Sequence, residues 1–291
     1  MHNMFAFQTT KSIYRVSAIA LCFLGLTFIC PLSIAGGKLL GTAGVSPIEG
    51  GGGGGLIPWA PLAGYATQDE WGGVVSMSKS SLSDFTMTTV SGAVNYHDKF
   101  ELSVGRIEFQ PTSGGAPIEQ DVVGAKVHVI GDLIYGPTPL VSVGLQYKSL
   151  LDSNIADAFG SDDAAGADVY ISVARAWIDG VAHRTTVLNV NMRNSNANQL
   201  GLLGFGGEGS DREWLFEGAA AWYLNRHWAL GVEYREKPDQ LVAFKEDDWA
   251  DVFLVYFPNK SMSVTAAYLK LGDIVGQENQ TGWYVSLQGA F

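Results

Sequence analysis

Beyond residue 36 the chain consists of segments of about 8–13 residues in which apolar and polar residues alternate, the period of a β-strand with two different faces. In one segment Val123, Val127 and Val129 lie on one face, with Lys126 and His128 on the other. No apolar run after residue 36 approaches the ~20 residues that a membrane-spanning helix needs. The chain is therefore predicted to fold as strands, each with one apolar and one polar face.

The connections between these segments favour a barrel in a membrane. Short links are predicted at 68–70, 97–98, 136–138, 179–182, 225–226 and 258–260, and longer ones at 111–120, 149–166, 195–211, 237–246 and 271–280; only 81–84 is short where a long link is expected. Outer-membrane barrels alternate short periplasmic turns with longer external loops in this way. Aromatic residues such as Trp71, Tyr96 and Trp177 adjoin the short links, as in an interfacial girdle. The predicted fold is all-β, a transmembrane antiparallel up-and-down β-barrel.

The strand count has two solutions. Thirteen candidate strands follow from residue 59 onward, and single-chain bacterial barrels have an even number. In the preferred solution, 38–47 is a fourteenth strand, joined to a strand at 59–67 by the glycine run 50–55. In the alternative, the wall has twelve strands and 36–67 forms an inner plug. A change of phase between Phe100 and Phe109 also predicts a β-bulge near Gly105.

The first 35 residues have the order of a secretory signal peptide. Lys11 and Arg15 precede an apolar run, and Ser33 and Ala35 supply the small residues of a cleavage site. We expect residues 1–35 to be removed during export and 36–291 to form the barrel in the outer membrane of a Gram-negative cell. Both cysteines lie in the removed segment. The net charge of −11 disfavours nucleic acid as a partner.

Polar residues on the predicted inner face are candidates for lining and selectivity. If the turn at Pro137 centres its hairpin, Lys126 lies opposite Lys148, and His128 opposite Gln146. We expect inward acidic residues to neutralise the two lysines; the alternative is a basic patch that favours anions. The lumen candidates are Glu101, Lys126, His128, Lys148, Glu217, Glu233, Arg235 and Asp251.

Further candidates lie in the loops and at the C-terminus. Leu202, Leu203 and Phe205 lie in a glycine-rich segment that is predicted to fold back toward the barrel mouth. The acidic segment 152–168 lacks the spacing of a calcium loop and is predicted to be solvated. The alternating residues of the last strand predict closure against the first strand and resemble the signal that the barrel-assembly machinery reads. They are Trp283, Val285, Leu287 and Phe291.

No catalytic residue, metal site or cofactor is predicted. His128 is the only histidine expected in the wall, and the assumed register places Ser142 two rungs or more away from it. Metal-ligand spacings are absent from the sequence.

Several stretches resemble an uncharacterised Gram-negative family, domain of unknown function 3034. They are GGKLLGTAGVSPIEGGGGGGLIPWA at 36–60, QDVVGAKV at 120–127, GLQYK at 144–148, NQLGLLGFGG at 198–207, EYREKPDQL at 233–241, EDDWAD at 246–251 and GWYVSLQGAF at 282–291. The resemblance covers essentially all of 36–291 and implies an outer-membrane barrel. It implies no activity and no catalytic residue.

The leading functional prediction is a porin-like channel or substrate-specific transporter for a small solute. About eight strands give an interior filled with side chains, and about 16–18 leave an aqueous channel, so a barrel of intermediate size can do either. The alternatives are a closed barrel with a structural or adhesive role and, less favoured, a barrel enzyme acting on lipid. The expected partners are outer-membrane lipid, lipopolysaccharide and the barrel-assembly machinery.

Overall fold

A computed structural model describes residues 38, 40–41, 44–207, 212–241 and 244–291. The predicted signal peptide and both cysteines lie outside these residues. The described residues form a closed barrel of twelve antiparallel strands, in which each strand pairs with its neighbours in sequence and the last pairs with the first. None of the helices in this part of the chain is long and apolar enough to cross a membrane.

The wall and its connections have the following elements. The strands are β1 (Trp71–Leu82), β2 (Phe85–Tyr96), β3 (Phe100–Pro111), β4 (Ile118–Ile130), β5 (Leu140–Leu150), β6 (Ala165–Trp177), β7 (Thr186–Ser195), β8 (Glu213–Tyr223), β9 (Trp228–Arg235), β10 (Trp249–Asn259), β11 (Met262–Ile274) and β12 (Gln277–Ala290). One helix, α1 (Asn154–Phe159), and two 3₁₀ turns, Val181–His183 and Asn198–Gly201, lie in the connections.

The wall is apolar outside and polar inside. On β4, Val123 and Val129 are about half exposed, whereas Lys126 between them is buried. Most of the aromatic residues beside the short links also face outward, among them Trp71 at 64% exposure, whereas Phe257 and Tyr223 pack inside the barrel. Because a soluble barrel would bury its apolar face, this arrangement indicates an outer surface that contacts lipid.

The ends of the chain close the barrel. Met77 of β1 pairs with Leu287 of β12, and the two strands stay in register over nine residue pairs. Phe291 and Gly73 exchange backbone hydrogen bonds, with N···O distances of 2.9 and 3.0 Å. This seam leaves no free strand edge, as the alternation in the last strand predicts.

The preferred count of fourteen strands is not confirmed, and the alternative of twelve strands with an inner plug is what the structure has. Residues 44–66, which we call the plug, are all buried and lie outside the wall strands. Their apolar residues made 38–47 and 59–67 look like strands in the sequence. These residues are apolar because they pack inside the lumen, and a short alternation does not distinguish the two locations.

Two local predictions in the wall are wrong. The segment 271–280 is no long loop, because β11 and β12 run up to a tight turn at Val275 and Gly276. No bulge occurs near Gly105, since β3 keeps continuous register with both neighbours. The change of phase arises because Phe100 faces lipid, whereas Ile107 and Phe109 face the packed interior.

The predicted register of β4 and β5 is also wrong. Lys126 lies opposite Gly144, and Lys148 lies opposite Val122. The connection between the strands is longer than the assumed turn, and a register shift follows His128. Because the error is an even number of residues, it changes every cross-strand partner but leaves each side chain on its predicted face.

Candidate functional site: the plugged lumen

The plug enters and leaves the barrel at the end that carries the two termini of the wall. On the way in, Lys38 Nζ lies 2.5 Å from Asp98 Oδ1 in the β2–β3 turn, and the Gly41 amide donates to the Tyr65 hydroxyl at 3.0 Å. On the way out, Thr67 donates to Glu70 just before β1. Within the lumen the plug folds back on itself. Its C-terminal end continues covalently into β1, and its N-terminal end is held at the same mouth by the Lys38–Asp98 ion pair.

The glycine run of the plug allows close approaches, to the wall and within the plug itself, that no side chain would permit. A Cβ on Gly54 would lie 1.7 Å from Oε1 of Glu233, and one on Gly53 would lie 2.4 Å from the carbonyl oxygen of Ile57. Gly50 and Gly51 have φ of 79° and 86°, which glycine adopts without strain. The run therefore provides close packing and a left-handed bend, and its sequence gives no phosphate loop.

Glu101 and Lys126 bind the plug as a buried pair. Glu101 accepts hydrogen bonds from the amides of Gly52 (3.1 Å) and Ala63 (2.6 Å). Lys126 Nζ lies 3.4 Å from Glu101 Oε2. The same ammonium donates to three carbonyl oxygens of the plug at 2.9–3.0 Å, those of Gly52, Trp59 and Pro61. Because the plug has little secondary structure, these N–H and C=O groups have no backbone partners, and the pair supplies their hydrogen bonds instead.

Glu233 and Arg235 bind the plug from the opposite wall. Glu233 accepts from the Leu56 amide at 2.7 Å and from Trp59 Nε1 at 3.1 Å. Arg235 donates to the Leu56 carbonyl at 3.0 Å and to both carboxylate oxygens of Glu49 at 2.6 and 3.2 Å. Together they hold the plug at its bend.

Glu49 of the plug is the centre of an ion network. It contacts Lys148 and Arg235 closely, and Nη2 of Arg193 lies 3.8 Å away. Lys148 and Arg193 also bind Asp168, at 2.6 and 3.3 Å. Arg193 Nε then donates to Glu217 at 2.6 Å. Three cations and three anions are thus neutralised within one buried cluster, as charges at low dielectric require.

Three members of this network are absent from the sequence predictions. Asp168 was placed in the acidic loop, but it belongs to β6 and is fully buried. Arg193 lies on the inner face of β7, where the alternation of Leu188, Val190 and Met192 on the outer face would have found it. No sequence pattern identifies Glu49, because its burial depends on the path of the plug.

Amides and hydroxyls complete the polar wall. Asn189 accepts from the Ala60 amide at 2.9 Å, and Ser142 donates to the Ala60 carbonyl at 2.6 Å. Asn191 donates to the Pro58 carbonyl at 2.7 Å. Apolar plug residues fill the remaining space, and Ile48, Leu56, Ile57, Trp59 and Leu62 are at most 4% exposed.

The voids beside the plug are small. One of about 20 Å³ borders Gly53, Trp59 and Phe253. A larger groove of about 300 Å³ lies over β2–β4 and includes the outward-facing Val104 and Val123, so it does not belong to the lumen.

The far mouth is covered by the β7–β8 and β9–β10 connections, and the β5–β6 connection packs against the first of them. Leu202, Leu203 and Phe205 are buried there, and the backbone of Phe205 pairs with Asp163. Lys237 Nζ lies 3.2 Å from Glu246 Oε2, and Glu246 accepts from the Gln199 amide. Burial raises the pKa of Glu246 and lowers the pKa of Lys237, because desolvation disfavours the charged form of each group. The attraction between the two charges offsets part of this cost.

The other candidates lie as follows. His128 and Ser142 face each other directly, which corrects the expected separation, but His128 binds the carbonyls of Asp98 and Gly131. Asp251 faces Glu233 inside the barrel. Among the described residues, no group of three or more His, Cys, Asp or Glu side chains is placed to hold a metal ion. The four C-terminal candidates are on the outer face: Trp283, Val285, Leu287 and Phe291.

Comparison with known proteins identifies the family. Residues 42–288 match the family model described as a protein of unknown function, DUF3034. The chain belongs to this family. No curated protein matches this DUF3034 member.

Solved structures similar to this DUF3034 member are outer-membrane barrels. The KdgM porin is 11% identical, with a TM-score of 0.49 over 75% of this chain and 99% of that one. Omp33 of Acinetobacter baumannii is 9% identical, with a TM-score of 0.44 over 77% and 100%. Outer membrane phospholipase A from Escherichia coli is 9% identical, with a TM-score of 0.39 over 77% and 97%.

Proposed function

We propose that this protein is an outer-membrane channel for a small solute, closed at rest by its own N-terminal plug. One observation carries the proposal: the wall faces the plug with charged and amide side chains that bind its backbone. Outer-membrane barrels have polar interiors, which line a water-filled channel in porins and surround a plug in others. A charged lumen suits water and a polar solute once the plug moves aside.

The lining candidates support a filter of mixed charge in the open state. Lys126, Lys148 and Arg235 would lose their plug partners and face the solute path together with Glu101 and Glu217. We propose that the protein resides in the outer membrane, in contact with lipid and lipopolysaccharide. We also propose that the barrel-assembly machinery inserts it through the C-terminal strand that ends at Phe291.

The test is the conductance of the refolded protein in a planar bilayer. We expect the full-length processed chain to be mostly silent and a variant lacking residues 44–66 to conduct steadily. A mobility change on boiling shows that each barrel is folded before recording. A folded barrel without the plug that still passes no current would refute the channel.

A closed structural barrel is the second candidate, because apolar plug residues such as Ile57 and Trp59 are as deeply buried as the residues of a protein core. It predicts no conductance of the full-length chain under any condition and envelope sensitivity when the protein is lost. A lipid-acting enzyme is less favoured, since His128 and Ser142 each bind backbone carbonyls in the described structure instead of each other.

A further inference from the structure

Charged side chains buried in the described residues are not balanced. Seven are acidic and five are basic; the acids are Glu49, Glu101, Asp168, Glu217, Glu233, Glu246 and Asp251, and the bases are Lys126, Lys148, Arg193, Arg235 and Lys237. The pairs and the ion network described above use all five bases. Glu233 and Asp251 are the two acids that remain without a counter-charge.

These two carboxyl groups face each other. Glu233 of β9 and Asp251 of β10 are direct cross-strand partners on the inner face, 3% and 5% exposed. A Cβ on Gly55 of the plug would lie 3.5 Å from Glu233 Oε2 and 3.4 Å from Asp251 Oδ2. Both acids thus border the same plug residue in a site closed to solvent.

The two groups differ in their hydrogen bonds. Glu233 accepts from the Leu56 amide and from Trp59 Nε1, and these donors stabilise a carboxylate. In the described structure the donor beside the Asp251 carboxyl group is the Glu233 amide, which lies outside hydrogen-bond geometry, and both carboxyl oxygens are shielded from solvent. An anion in that position would carry the full cost of burial.

The surrounding side chains do not supply the missing positive charge. Across β8 and β11 the neighbours are Ala219 and Leu269, and β12 contributes the phenol of Tyr284. The nearby charged groups are Glu217, which adds negative charge, and Arg235, which is bound to Glu49 and to Glu217. Two adjacent carboxylates at low dielectric do not both ionise without a counter-charge.

We propose that Glu233 and Asp251 form a proton-binding site in which Asp251 is a neutral carboxylic acid at neutral pH and Glu233 is ionised. The proton resides on Asp251 and leaves to water when the site is deprotonated. Deprotonation places a second negative charge beside the carboxylate that holds Leu56 and Trp59. The hold on the plug therefore weakens as pH rises.

Infrared spectroscopy of the refolded full chain tests the site directly. We expect the carbonyl stretch of a protonated carboxylic acid at neutral pH, shifted in heavy water and lost in Asp251→Asn. The matched control is Glu101→Gln, which should keep the band because Glu101 is paired with Lys126. Isotope-labelled aspartate in the wild-type chain should shift the band, and this assignment requires no variant.

A spectrum without that band, or a band that Asp251→Asn or labelled aspartate leaves unchanged, would overturn the proposal. So would calcium binding that depends on Asp251 in a protein without the band, since a cation would then neutralise the pair. The effect on gating rests on the proposed channel function, and conductance tests it separately. A band at Asp251 in the full chain, together with no current from the folded barrel that lacks residues 44–66, would leave the proton site standing and reject the channel.

Discussion

At the scale of single residues, side chains of the barrel wall supply hydrogen-bond partners to the plug backbone, which has almost no secondary structure of its own. Glu101 and Glu233 each accept two N–H donors from the plug, and Lys126 donates to three of its carbonyls. The period of two in the sequence predicted that these side chains face inward. It did not identify their partners, because those depend on the strand register and on the path of the plug.

Gly54 should tolerate no side chain. In Gly54→Ala the new Cβ collides with a carboxylate that Leu56 and Trp59 hold in place, so we expect a loss of about 1–3 kcal/mol of stability, as for overpacked cores. Denaturant unfolding monitored by tryptophan fluorescence measures it. Gly55→Ala is the matched control, because its Cβ would have 3.4 Å to the nearest atom and neither glycine has positive φ. Equal stability of the two variants would contradict this packing.

Lys126→Met should destabilise the plugged barrel by about 3–5 kcal/mol, because it leaves Glu101 buried without its cation. It also removes three hydrogen bonds to the plug. Adding Glu101→Gln to Lys126→Met should recover part of the loss, since the unpaired charge is then gone. Unfolding midpoints of the single and double variants provide the measurement, and strictly additive losses would show that the two residues act independently.

At the scale of elements, the sequence predicted the wall better than the interior. Every wall strand was predicted within a few residues except where β11 and β12 extend to their turn, because lipid outside and polar groups inside impose a strict alternation. The plug follows no such rule. Its residues meet the wall in an irregular path, so its apolar content alone resembled two more strands.

The exit of the plug should loosen in acid. Hydrogen bonds from the Thr67 amide and hydroxyl hold the pKa of Glu70 below its usual 4.5. Because the folded link favours the carboxylate, Glu70 contributes stability at pH values above its ordinary pKa. This contribution is lost as the pH falls through the lowered pKa of the folded state. Hydrogen exchange at Thr67 should therefore show extra opening below about pH 4.5, after correction for the intrinsic rate. In Glu70→Gln the opening should not depend on pH, and a wild-type opening equally independent of pH would contradict the link.

At the scale of the whole molecule, the twelve strands enclose a space that wall side chains fill only together with one chain segment, the plug. The plug is tied to one mouth at both ends, and the loops around Phe205 and Glu246 cover the other mouth. In the proposed channel, solute passage would require the plug to shift inside a wall that stays intact. A covalent link between plug and wall separates this movement from any change in the wall.

A disulfide between Gly50→Cys and Ser91→Cys should lock the channel shut. An ideal Cβ on Gly50 lies 3.2 Å from the Cβ of Ser91, so a shift of a few tenths of an ångström reaches the disulfide range of about 3.5–4.5 Å. Because Gly50 has a φ of 79°, cysteine there costs about 1–3 kcal/mol of backbone strain, and the reduced form of the same variant carries that strain too and is the reference for oxidation. Ser91→Cys with Gly105→Cys is the matched control, because its 3.4 Å Cβ separation joins β2 to β3 within the wall. With Cys22 and Cys30 removed with the predicted signal peptide, no other thiol competes. We expect the plug–wall disulfide to abolish openings in a planar bilayer, reduction to restore them, and the wall disulfide to change neither state. Openings that persist in the oxidised plug–wall variant would mean that solute passes without displacing the plug.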